Sequence, residues 1–265
     1  MLIVCNGMIR SGSTLQYNLA RSIVENMGIG AGRGYYDGKL YVLKEEQLNN
    51  WIDIKGYYVI KTHALHPRIE GIAKNEQNNT VKICYIFRDI RDVAVSAKTK
   101  WKYKDNDSLL ISLDKAIQIY YSLKEIPNVF FQKYEDLVCN IYGGIKALSN
   151  FIELNPGKEV IDKVVKECSL ENMSRIAKNS EINFSGILLV FLKSKTPAKL
   201  KSLLKKFIDP QKFIKFDSQT LLHPDHISDN RGAIGIWRTA LHEHEKVILT
   251  ERYKTWLIEA KYSLK

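Results

Sequence analysis

The fold is decided by residues 2–14, which read Leu2-Ile3-Val4-Cys5-Asn6-Gly7-Met8-Ile9-Arg10-Ser11-Gly12-Ser13-Thr14. The apolar run Leu2 to Cys5 predicts a strand, and Leu15, Leu19 and Ile23 recur at helical spacing. The glycines between them let the backbone turn tightly and expose successive N–H groups, at the positive end of the helix dipole. The segment therefore predicts a strand, an anion-binding loop and a helix.

This loop differs at one position from the nucleoside-triphosphate loop GxxxxGKS/T. Ser13 stands where that motif needs the lysine that reaches the β and γ phosphates. The cation of the loop is Arg10 instead, and the apolar run Val81 to Phe87 leads into Arg88 rather than into a magnesium-binding acid. These features argue against a kinase or ATPase. A glycine-rich structural turn is the alternative to an anion site.

Strands and helices alternate along the rest of the chain. Strands are predicted at Tyr57 to Lys61, Val81 to Phe87 and Asn128 to Phe131; helices are predicted from Asp92, around Leu110 to Tyr120, and at Ile145 to Ile152, Ile161 to Cys168 and Glu243 to Trp256. The alternation predicts an α/β fold of three layers, with a mainly parallel central sheet flanked by helices.

We expect one domain over residues 1–265, with a basic helical insertion or lid at about 174–222. Within residues 193–215 an apolar stripe recurs at helical spacing: Leu200, Leu203, Leu204, Phe207 and Ile208. The stripe fits a surface helix that packs on the domain. A mobile lid over an acceptor pocket and a helix on a membrane surface are the alternatives.

Composition narrows the class of protein. The chain has 265 residues, 45% of them hydrophobic, and a net charge of +11, which suits a globular protein that attracts anions. The longest apolar run, Ile187 to Leu192, is too short to span a membrane, and no signal peptide is evident. The expectation is a cytoplasmic protein. Four separated cysteines without a CxxC pair, and histidines His242 and His244 without HExxH spacing, predict no metal site.

A second anion site is predicted after the Val81 to Phe87 strand. Carboxyl ends of parallel strands face the ligand crevice, so Arg88 offers a forked donor to a phosphate there. Ser96, eight residues on, adds a neutral donor from a helix that Asp92 is expected to cap. A surface ion-pair cluster of Arg88, Asp89, Arg91 and Asp92 is the alternative.

Taken in order, these segments resemble PAPS-dependent sulfotransferases of the small-molecule, cytosolic type, where PAPS is 3'-phosphoadenosine 5'-phosphosulfate. Gly7 to Thr14 is similar to the family's 5'-phosphosulfate loop, and Ile86 to Ser96 to its 3'-phosphate motif. Lys61-Thr62-His63 is similar to the catalytic Lys-Thr-His, and Asn230 to Arg238 to Arg-Lys-Gly-x-x-Gly-x-Trp-Lys. The resemblance implies the P-loop NTPase-like sulfotransferase fold.

The resemblance also implies a set of cosubstrate contacts, with PAPS as sulfuryl donor, adenosine 3',5'-bisphosphate (PAP) as product and no metal. The implied binding residues are Arg10, Ser11, Gly12, Ser13 and Thr14 for the 5'-phosphosulfate, Arg88, Ser96, Arg231 and Gly232 for the 3'-phosphate, and Tyr134 and Ser169 near the adenine. The chain departs from the family at Asn230, where a basic residue is common. It also departs at Leu15, Cys168 and Leu170, where Trp, Thr and Phe are usual.

The reacting centre implied by the resemblance is His63, Lys61 and Arg10. The acceptor atom loses a proton as it attacks sulfur, and a histidine of pKa about 6.5 suits a general base. Lys61 and Arg10 would stabilise charge on the leaving nucleotide. His66 is a lesser candidate base. His223 and His226 are candidates for the edge of the acceptor pocket, or plain loop residues.

The expected activity is transfer of a sulfuryl group to a hydroxyl or amine of a small molecule, such as a secondary metabolite. A carbohydrate or lipid acceptor is the alternative, and a noncatalytic polyanion-binding module is a remote one. No nucleic-acid partner and no stable membrane insertion are expected. The sequence leaves the oligomeric state open.

Overall fold

The structure is a computed structural model and describes residues 1–36, 42–75, 77, 79–101, 103, 105–180, 217–223, 227 and 230–265. In these residues five strands form one sheet: β1 Leu2–Gly7, β2 Gly30–Tyr36, β3 Tyr57–Thr62, β4 Val81–Phe87 and β5 Val129–Lys133. Their order is β2-β3-β1-β4-β5, and every neighbouring pair is parallel. The predicted α/β fold with a mainly parallel sheet is confirmed.

Helices follow or connect the strands throughout the described residues. They are α1 Ser13–Asn26, α2 Glu45–Asp53, α3 Pro67–Ala73, α4 Ile90–Trp101, α5 Asn106–Lys124, α6 Tyr134–Cys139, α7 Ile141–Phe151, α8 Lys158–Glu167, α9 Leu170–Asn179, α10 Trp237–Ala240, α11 Glu243–Arg252 and α12 Lys254–Glu259. No helix of the described residues has the length and apolar character that crossing a membrane requires.

The central strand β1 is buried on both faces, because its side chains alternate between two apolar clusters. Leu2 and Val4 pack in the cluster that α3, α4, α5 and α12 cover. Ile3 and Cys5 pack in the cluster that α1, α7, α8 and α9 cover. A strand covered on both faces is apolar at most of its positions, and for this reason β1 and β4 are readable in the sequence as short, largely apolar runs.

Strand β2 was missed by the sequence prediction, because Gly30, Gly32 and Gly34 are unusual inside a strand. The structure explains two of these glycines by close contact. A Cβ at Gly30 would lie 1.9 Å from the Tyr57 carbonyl oxygen, and one at Gly32 would lie 2.6 Å from the Tyr17 hydroxyl. The pairing of β2 with β3 also shifts register between Gly32 and Tyr35.

Three further sequence predictions can be compared with the structure. The helix predicted at Glu243 to Trp256 is two helices, α11 and α12, that meet at Tyr253. Asp92 does not cap α4, which begins at Ile90; the Asp92 carboxylate binds backbone N–H groups elsewhere. Within the proposed insertion at 174–222, residues 174–179 complete α9, and the apolar stripe of Leu200 to Ile208 lies outside the described residues.

Candidate active site

The loop between β1 and α1 is tightly turned and braced against β4. Arg10 has φ of 57° and Gly12 has φ of 89°, both in the left-handed region. The Ser11 hydroxyl is fully buried and lies 2.6 Å from the Met8 carbonyl oxygen and 2.9 Å from that of Ile86. Ser11 therefore holds the shape of the loop through its side chain. Ser13 and Thr14 begin α1, where backbone N–H groups have no partner within the helix.

Gly12 allows an aromatic ring to lie directly on this loop. A Cβ at Gly12 would be 2.8 Å from the Tyr134 ring, closer than packed carbon atoms approach. The Tyr134 hydroxyl in turn donates to the Gly232 carbonyl oxygen at 2.9 Å. Tyr134, at the start of α6, thus joins the loop to the segment around Gly232, as expected if all three contact one ligand.

Lys61 and His63 stand beside the loop at the carboxyl end of β3. The Lys61 ammonium donates to the Thr14 hydroxyl at 3.0 Å, and His63 Nδ1 lies 3.3 Å from the Gly7 carbonyl oxygen. A carbonyl oxygen only accepts, so in the neutral imidazole this contact requires the proton on Nδ1, which makes Nε2 the accepting nitrogen. The ring of Tyr35 lies 5.3 Å from the Lys61 ammonium and 5.8 Å from the His63 ring.

The Lys61 ammonium is almost completely buried, and its surroundings are cationic. Burial is the main cause that lowers its pKa from 10.5 to about 8. The nearby charges of Lys100 and Arg10 lower it further, while Cys5 acts in the opposite direction. A buried cation with cationic neighbours is a strong attractor for an anionic ligand.

Arg88 lies at the carboxyl end of β4, between Tyr134 and the segment that follows Gly232. Its Nη2 donates to the Ala233 carbonyl oxygen at 2.5 Å and to Asp92 Oδ2 at 3.3 Å, and its guanidinium lies 4.7 Å from the centre of the Tyr134 ring. Its Nε is buried and has no hydrogen-bond partner among the described residues. An orphaned buried donor of this kind is what a phosphate oxygen would satisfy.

The Asp92 carboxylate fastens the segment at 232–237 to α4. Oδ2 accepts from the Gly235 N–H at 2.7 Å and Oδ1 accepts from the Trp237 N–H at 2.9 Å. Asp92 is fully buried, so these are charge-assisted bonds in a place that excludes water. The exposed Arg231 and the Gly232 N–H are held near Arg88 by this attachment.

A second buried arginine connects the same region to the end of the described chain. Arg91 binds both carboxylate oxygens of Asp89, stacks at 3.8 Å on the Trp237 ring and donates to the Ser263 carbonyl oxygen at 2.6 Å. Glu135 receives the Asp89 N–H and the Tyr262 hydroxyl. Residues 262–263 thus pack behind the turn that carries Arg88.

One hydrogen bond connects the two predicted anion sites. Arg10 Nε, in the β1–α1 loop, donates to the Ser96 hydroxyl of α4 at 2.9 Å. Together with the Tyr134 contacts, it brings Arg10, Ser96, Arg88 and Gly232 into one continuous group. The sequence places these residues up to 222 positions apart, and the carboxyl ends of β1, β3 and β4 bring them together.

Other candidates lie apart from this group. Ser169 caps α9 by accepting the Asn172 N–H, and donates to the Lys166 carbonyl oxygen. His66 caps α3, and the His242 and His244 rings stack on each other at the start of α11. His226 lies outside the described residues. Within the described ranges, no three His, Cys, Asp or Glu side chains are arranged to hold a metal ion.

Sequence reasoning missed three parts of this site. Tyr35 was missed because β2 was missed. The role of Asp92 was misassigned, since its partners lie more than 140 positions along the chain. Lys100 was not singled out, although its position four residues after Ser96 places both on one face of α4. The four-residue spacing from Ser96 was the sequence signal from which Lys100 could have been identified.

A family model described as a sulfotransferase domain matches residues 43–195 of this chain. The match includes Lys61, His63, Arg88, Ser96 and Tyr134. The β1–α1 loop and the segment around Gly232 lie outside it, so the structure adds these two parts to the site.

Two relatives illustrate the similarity in sequence. Amine sulfotransferase of Oryctolagus cuniculus is 26% identical over an alignment of 154 positions that covers 52% of this chain and 50% of the relative. Cytosolic sulfotransferase 15 of Arabidopsis thaliana is 27% identical over an alignment of 155 positions that covers 48% of this chain and 42% of the relative. The chain thus matches about half the length of these relatives.

Solved structures share the fold over nearly the whole chain. Mouse sulfotransferase SULT7A1 complexed with PAP superposes with a TM-score of 0.60 and 14% identity, covering 97% of this chain and 83% of that one. Retinol dehydratase in a complex with retinol and PAP superposes with a TM-score of 0.56 and 17% identity, covering 97% and 81%. At these identities the likeness is one of fold.

Proposed function

This chain belongs to the sulfotransferase domain family, and from that membership we propose that it moves the sulfuryl group of PAPS to a hydroxyl or amine group of a small acceptor molecule. The observation that carries the proposal is the Arg10–Ser96 hydrogen bond, because it puts the β1–α1 loop and the end of β4 in one site. A donor with anionic groups on the 3' and 5' oxygens of one ribose needs two such anion sites side by side. The cytoplasm is the compartment we propose, in keeping with the description of the Arabidopsis relative.

We assign the 5'-phosphosulfate of PAPS to the β1–α1 loop. Arg10 would supply the cation there, and the N–H groups of Gly12, Ser13 and Thr14 would supply neutral donors at the start of α1. Ser11 would act mainly by holding the loop, since its hydroxyl faces two carbonyl oxygens. This part of the assignment is supported by the left-handed turn at Arg10 and Gly12.

We assign the 3'-phosphate to Arg88, Ser96, Arg231 and the Gly232 N–H. The unpartnered Nε of Arg88 supports this assignment, since it is a buried donor that the described residues leave unsatisfied. Tyr134 would contact the adenosine from its position on the Gly12 backbone. Ser169 would lie toward the adenine, at the start of α9, which its hydroxyl caps.

The chain's own residues can then carry out in-line transfer. His63 Nε2 would accept the proton that the acceptor loses as its oxygen or nitrogen bonds to sulfur. The bond between sulfur and the bridging oxygen breaks, and PAP leaves with the electron pair. Lys61 and Arg10 would stabilise the charge that develops on that oxygen, and the burial of Lys61 strengthens its electrostatic effect.

The first test is nucleotide binding without metal. PAP is titrated into the protein in EDTA, beside adenosine as the control ligand. Arg88→Ala should weaken PAP binding about ten- to hundredfold, the value of a hydrogen bond to a charged group, and change adenosine binding little. Equal losses for both ligands would contradict the 3'-phosphate assignment.

Because Arg88 is buried, an exposed residue provides a second variant that leaves the fold intact. Arg231→Ala should weaken PAP binding selectively, whereas Arg238→Ala, seven residues on and equally exposed, should not. Thermal unfolding of each variant separates loss of binding from loss of folding.

The second test concerns transfer. His63→Ala should keep PAP affinity and lose transfer from labelled PAPS by about 10²–10⁴-fold, the range for a general base. The acceptor is found by incubating the protein and labelled PAPS with a fractionated extract of its host and identifying the labelled product. Full turnover by His63→Ala would remove His63 from the mechanism.

A further inference from the structure

Strand β2 carries one extra residue where it runs beside the reacting centre. Gly32 pairs with Val59 of β3. The next pair is Tyr35 with Lys61, so β2 advances three residues while β3 advances two. Such a β-bulge exchanges the two faces of the strand beyond it, since side chains alternate at every residue. Without the extra residue Tyr35 would pair with Thr62 and face the opposite side of the sheet.

The bulge is built on a glycine and is anchored to α1. Gly34 has φ of 92°, in the left-handed region, and a Cβ there would meet nothing within 4 Å. The backbone conformation, and not a lack of space, therefore favours glycine at this position. The Gly32 N–H donates to the Glu25 carboxylate at 3.0 Å, and Glu25 is itself paired with Arg21 of α1. The start of the bulge is thus held by a charged pair.

Beyond the bulge, the Tyr35 ring lies against two side chains at the carboxyl end of β3. The Lys61 ammonium is 5.3 Å from the centre of the ring, within the range of a cation–π contact. The His63 ring is 5.8 Å away at an interplanar angle of 68°, an edge-to-face arrangement. Tyr36, the next residue, faces the other way and packs edge-on against Trp51 of α2 at 5.7 Å.

The orientation of His63 decides whether it can act as a base. Its Nδ1 lies 3.3 Å from the Gly7 carbonyl oxygen, longer than the usual N–H···O distance of about 2.9 Å. A contact of this length restrains the imidazole weakly by itself. An aromatic ring against the same imidazole restricts its rotation, and proton transfer from the acceptor depends on where Nε2 points.

We propose that Tyr35 is a positioning residue, whose ring holds the His63 imidazole with Nδ1 at Gly7 and Nε2 open to the acceptor, and keeps the Lys61 ammonium beside it. The inference rests on the proposed sulfotransferase function, in which His63 is the base. Tyr35 exchanges no proton in the reaction. The aromatic ring acts, and the hydroxyl is dispensable.

The tautomer of His63 reports directly on this orientation. The full chain is labelled with ¹⁵N at histidine and measured by nuclear magnetic resonance, with and without PAP, at pH 8, above the ordinary histidine pKa of about 6.5. His63→Ala assigns the signals. We expect the parent and Tyr35→Phe to carry the proton on Nδ1, and Tyr35→Leu to share it between both nitrogens, because its imidazole can turn away from Gly7.

Two matched controls separate orientation from stability. Tyr36→Leu removes the neighbouring ring from the other face of β2, and should leave the His63 tautomer unchanged. Gly34→Ala and Gly28→Ala each place a side chain at a positive φ with nothing within 4 Å, so both should lower the thermal midpoint. Only Gly34→Ala should change the His63 signals, because Gly28 precedes the opposite end of β2.

Transfer kinetics give a second readout. With the acceptor that the labelled-extract experiment identifies, Tyr35→Leu should lower kcat about ten- to hundredfold, the cost of a misplaced catalytic group, and change KM little. Tyr35→Phe should restore kcat. PAP affinity should stay within a factor of about five in every Tyr35 variant, the size of one exposed cation–π contact.

Each other outcome has a definite meaning. If the parent fails to bind PAP, the proposed function is wrong, and the His63 signals measured without PAP still test the role of Tyr35. Tyr35→Met takes the place of Tyr35→Leu where the latter does not fold. If a folded variant without the ring keeps the proton on Nδ1, the inference is wrong. An equal change in Tyr36→Leu, or a change in Tyr35→Phe, would overturn the assignment to the Tyr35 ring.

Discussion

At the Lys61 side chain, burial lowers the pKa, and the proposed nucleotide binding should therefore depend on pH. The pKa of this ammonium is lowered to about 8, so near pH 8 about half of the free protein lacks this proton. A bound anion favours the charged form and raises the pKa. PAP binding at pH 8 should therefore take up a fraction of a proton, and PAP affinity should fall as pH rises above about 8.

Calorimetry in buffers of different ionisation enthalpy measures this proton uptake. The uptake at pH 8 should be larger in the parent protein than in Lys61→Met, and this difference should disappear at pH 6, where Lys61 is already protonated and the phosphate of PAP titrates in both proteins. Proton uptake that is unchanged in Lys61→Met would assign the effect to another group.

The Asp92 carboxylate is a second side chain whose charge has a measurable consequence. It accepts from Gly235 N–H, Trp237 N–H and Arg88, all in a buried place. Asp92→Asn keeps the shape but removes the charge and turns one acceptor into a donor. We expect the free energy of unfolding to fall by about 2–4 kcal/mol in urea denaturation, since a buried charge partner is left uncompensated.

The exposed Asp136 on α6 gives the control for this substitution. Asp136→Asn should change the free energy of unfolding by no more than a surface substitution does, about 0.5 kcal/mol. Similar losses for the two variants would show that Asp92 is no more important than an exposed carboxylate.

At the level of elements, strand β2 depends on glycine because α1 packs closely on it. A Cβ at Gly32 would lie 2.6 Å from the Tyr17 hydroxyl and 2.8 Å from Arg21 carbons. Gly32→Ala should therefore lower the free energy of unfolding by about 1–3 kcal/mol through overpacking. Gly71→Ala in α3, where a Cβ meets nothing within 4 Å, should raise it by about 0.5–1 kcal/mol.

Denaturation of both variants beside the parent protein measures this contrast. The two substitutions add the same methyl group, so the opposite signs isolate the contact with α1. A Gly32→Ala protein as stable as Gly71→Ala would mean that β2 and α1 can separate at little cost.

Which elements are readable in the sequence depends on where their constraints lie. Strands β1 and β4 are buried on both faces, and their apolar runs are local signals. The β1–α1 loop is also a local signal, since Gly7, Arg10 and Gly12 lie within six consecutive residues. Strand β2 has no such signal, because Gly32 and Gly30 are required by close contacts with Tyr17 and Tyr57, which lie in other elements.

The residues of the candidate site also divide into those with a local sequence signal and those without one. The sequence pointed to Lys61, His63 and Arg88 because each ends or follows a recognisable strand, and to Ser96 because it follows Arg88 by eight residues as in the family motif. It missed the Asp92 attachment and the approach of Lys100 to Lys61, which depend on how α4 lies across the sheet. The segment proposed as a lid stays a prediction, since residues 181–216 lie outside the described part of the chain.

On the scale of the whole molecule, residues 262–265 should support nucleotide binding indirectly, because they pack behind the turn that carries Arg88. Tyr262 donates to Glu135 at 2.9 Å, and the Ser263 carbonyl accepts from Arg91 at 2.6 Å. Both partners hold the turn that carries Arg88. Removing Tyr262 to Lys265 should lower the thermal midpoint by several degrees and weaken PAP binding several-fold, because a buried carboxylate and a buried guanidinium lose donor or acceptor.

A shorter deletion serves as the control. Removing only Leu264 and Lys265 keeps the contacts to Glu135 and Arg91, and should leave PAP affinity close to that of the parent chain. If both deletions weaken PAP binding equally, the contacts of Tyr262 and Ser263 are not what supports the site.

The contact between Arg91 and Ser263 also bears on the order of events during translation. β1 and its loop are made before the other parts of the site, and the backbone of Ser263, which completes the surroundings of Arg91, is made after them. A nascent chain can assemble the sheet while it is still attached. It should reach its full affinity for the nucleotide only once the residues around Ser263 have emerged from the ribosome.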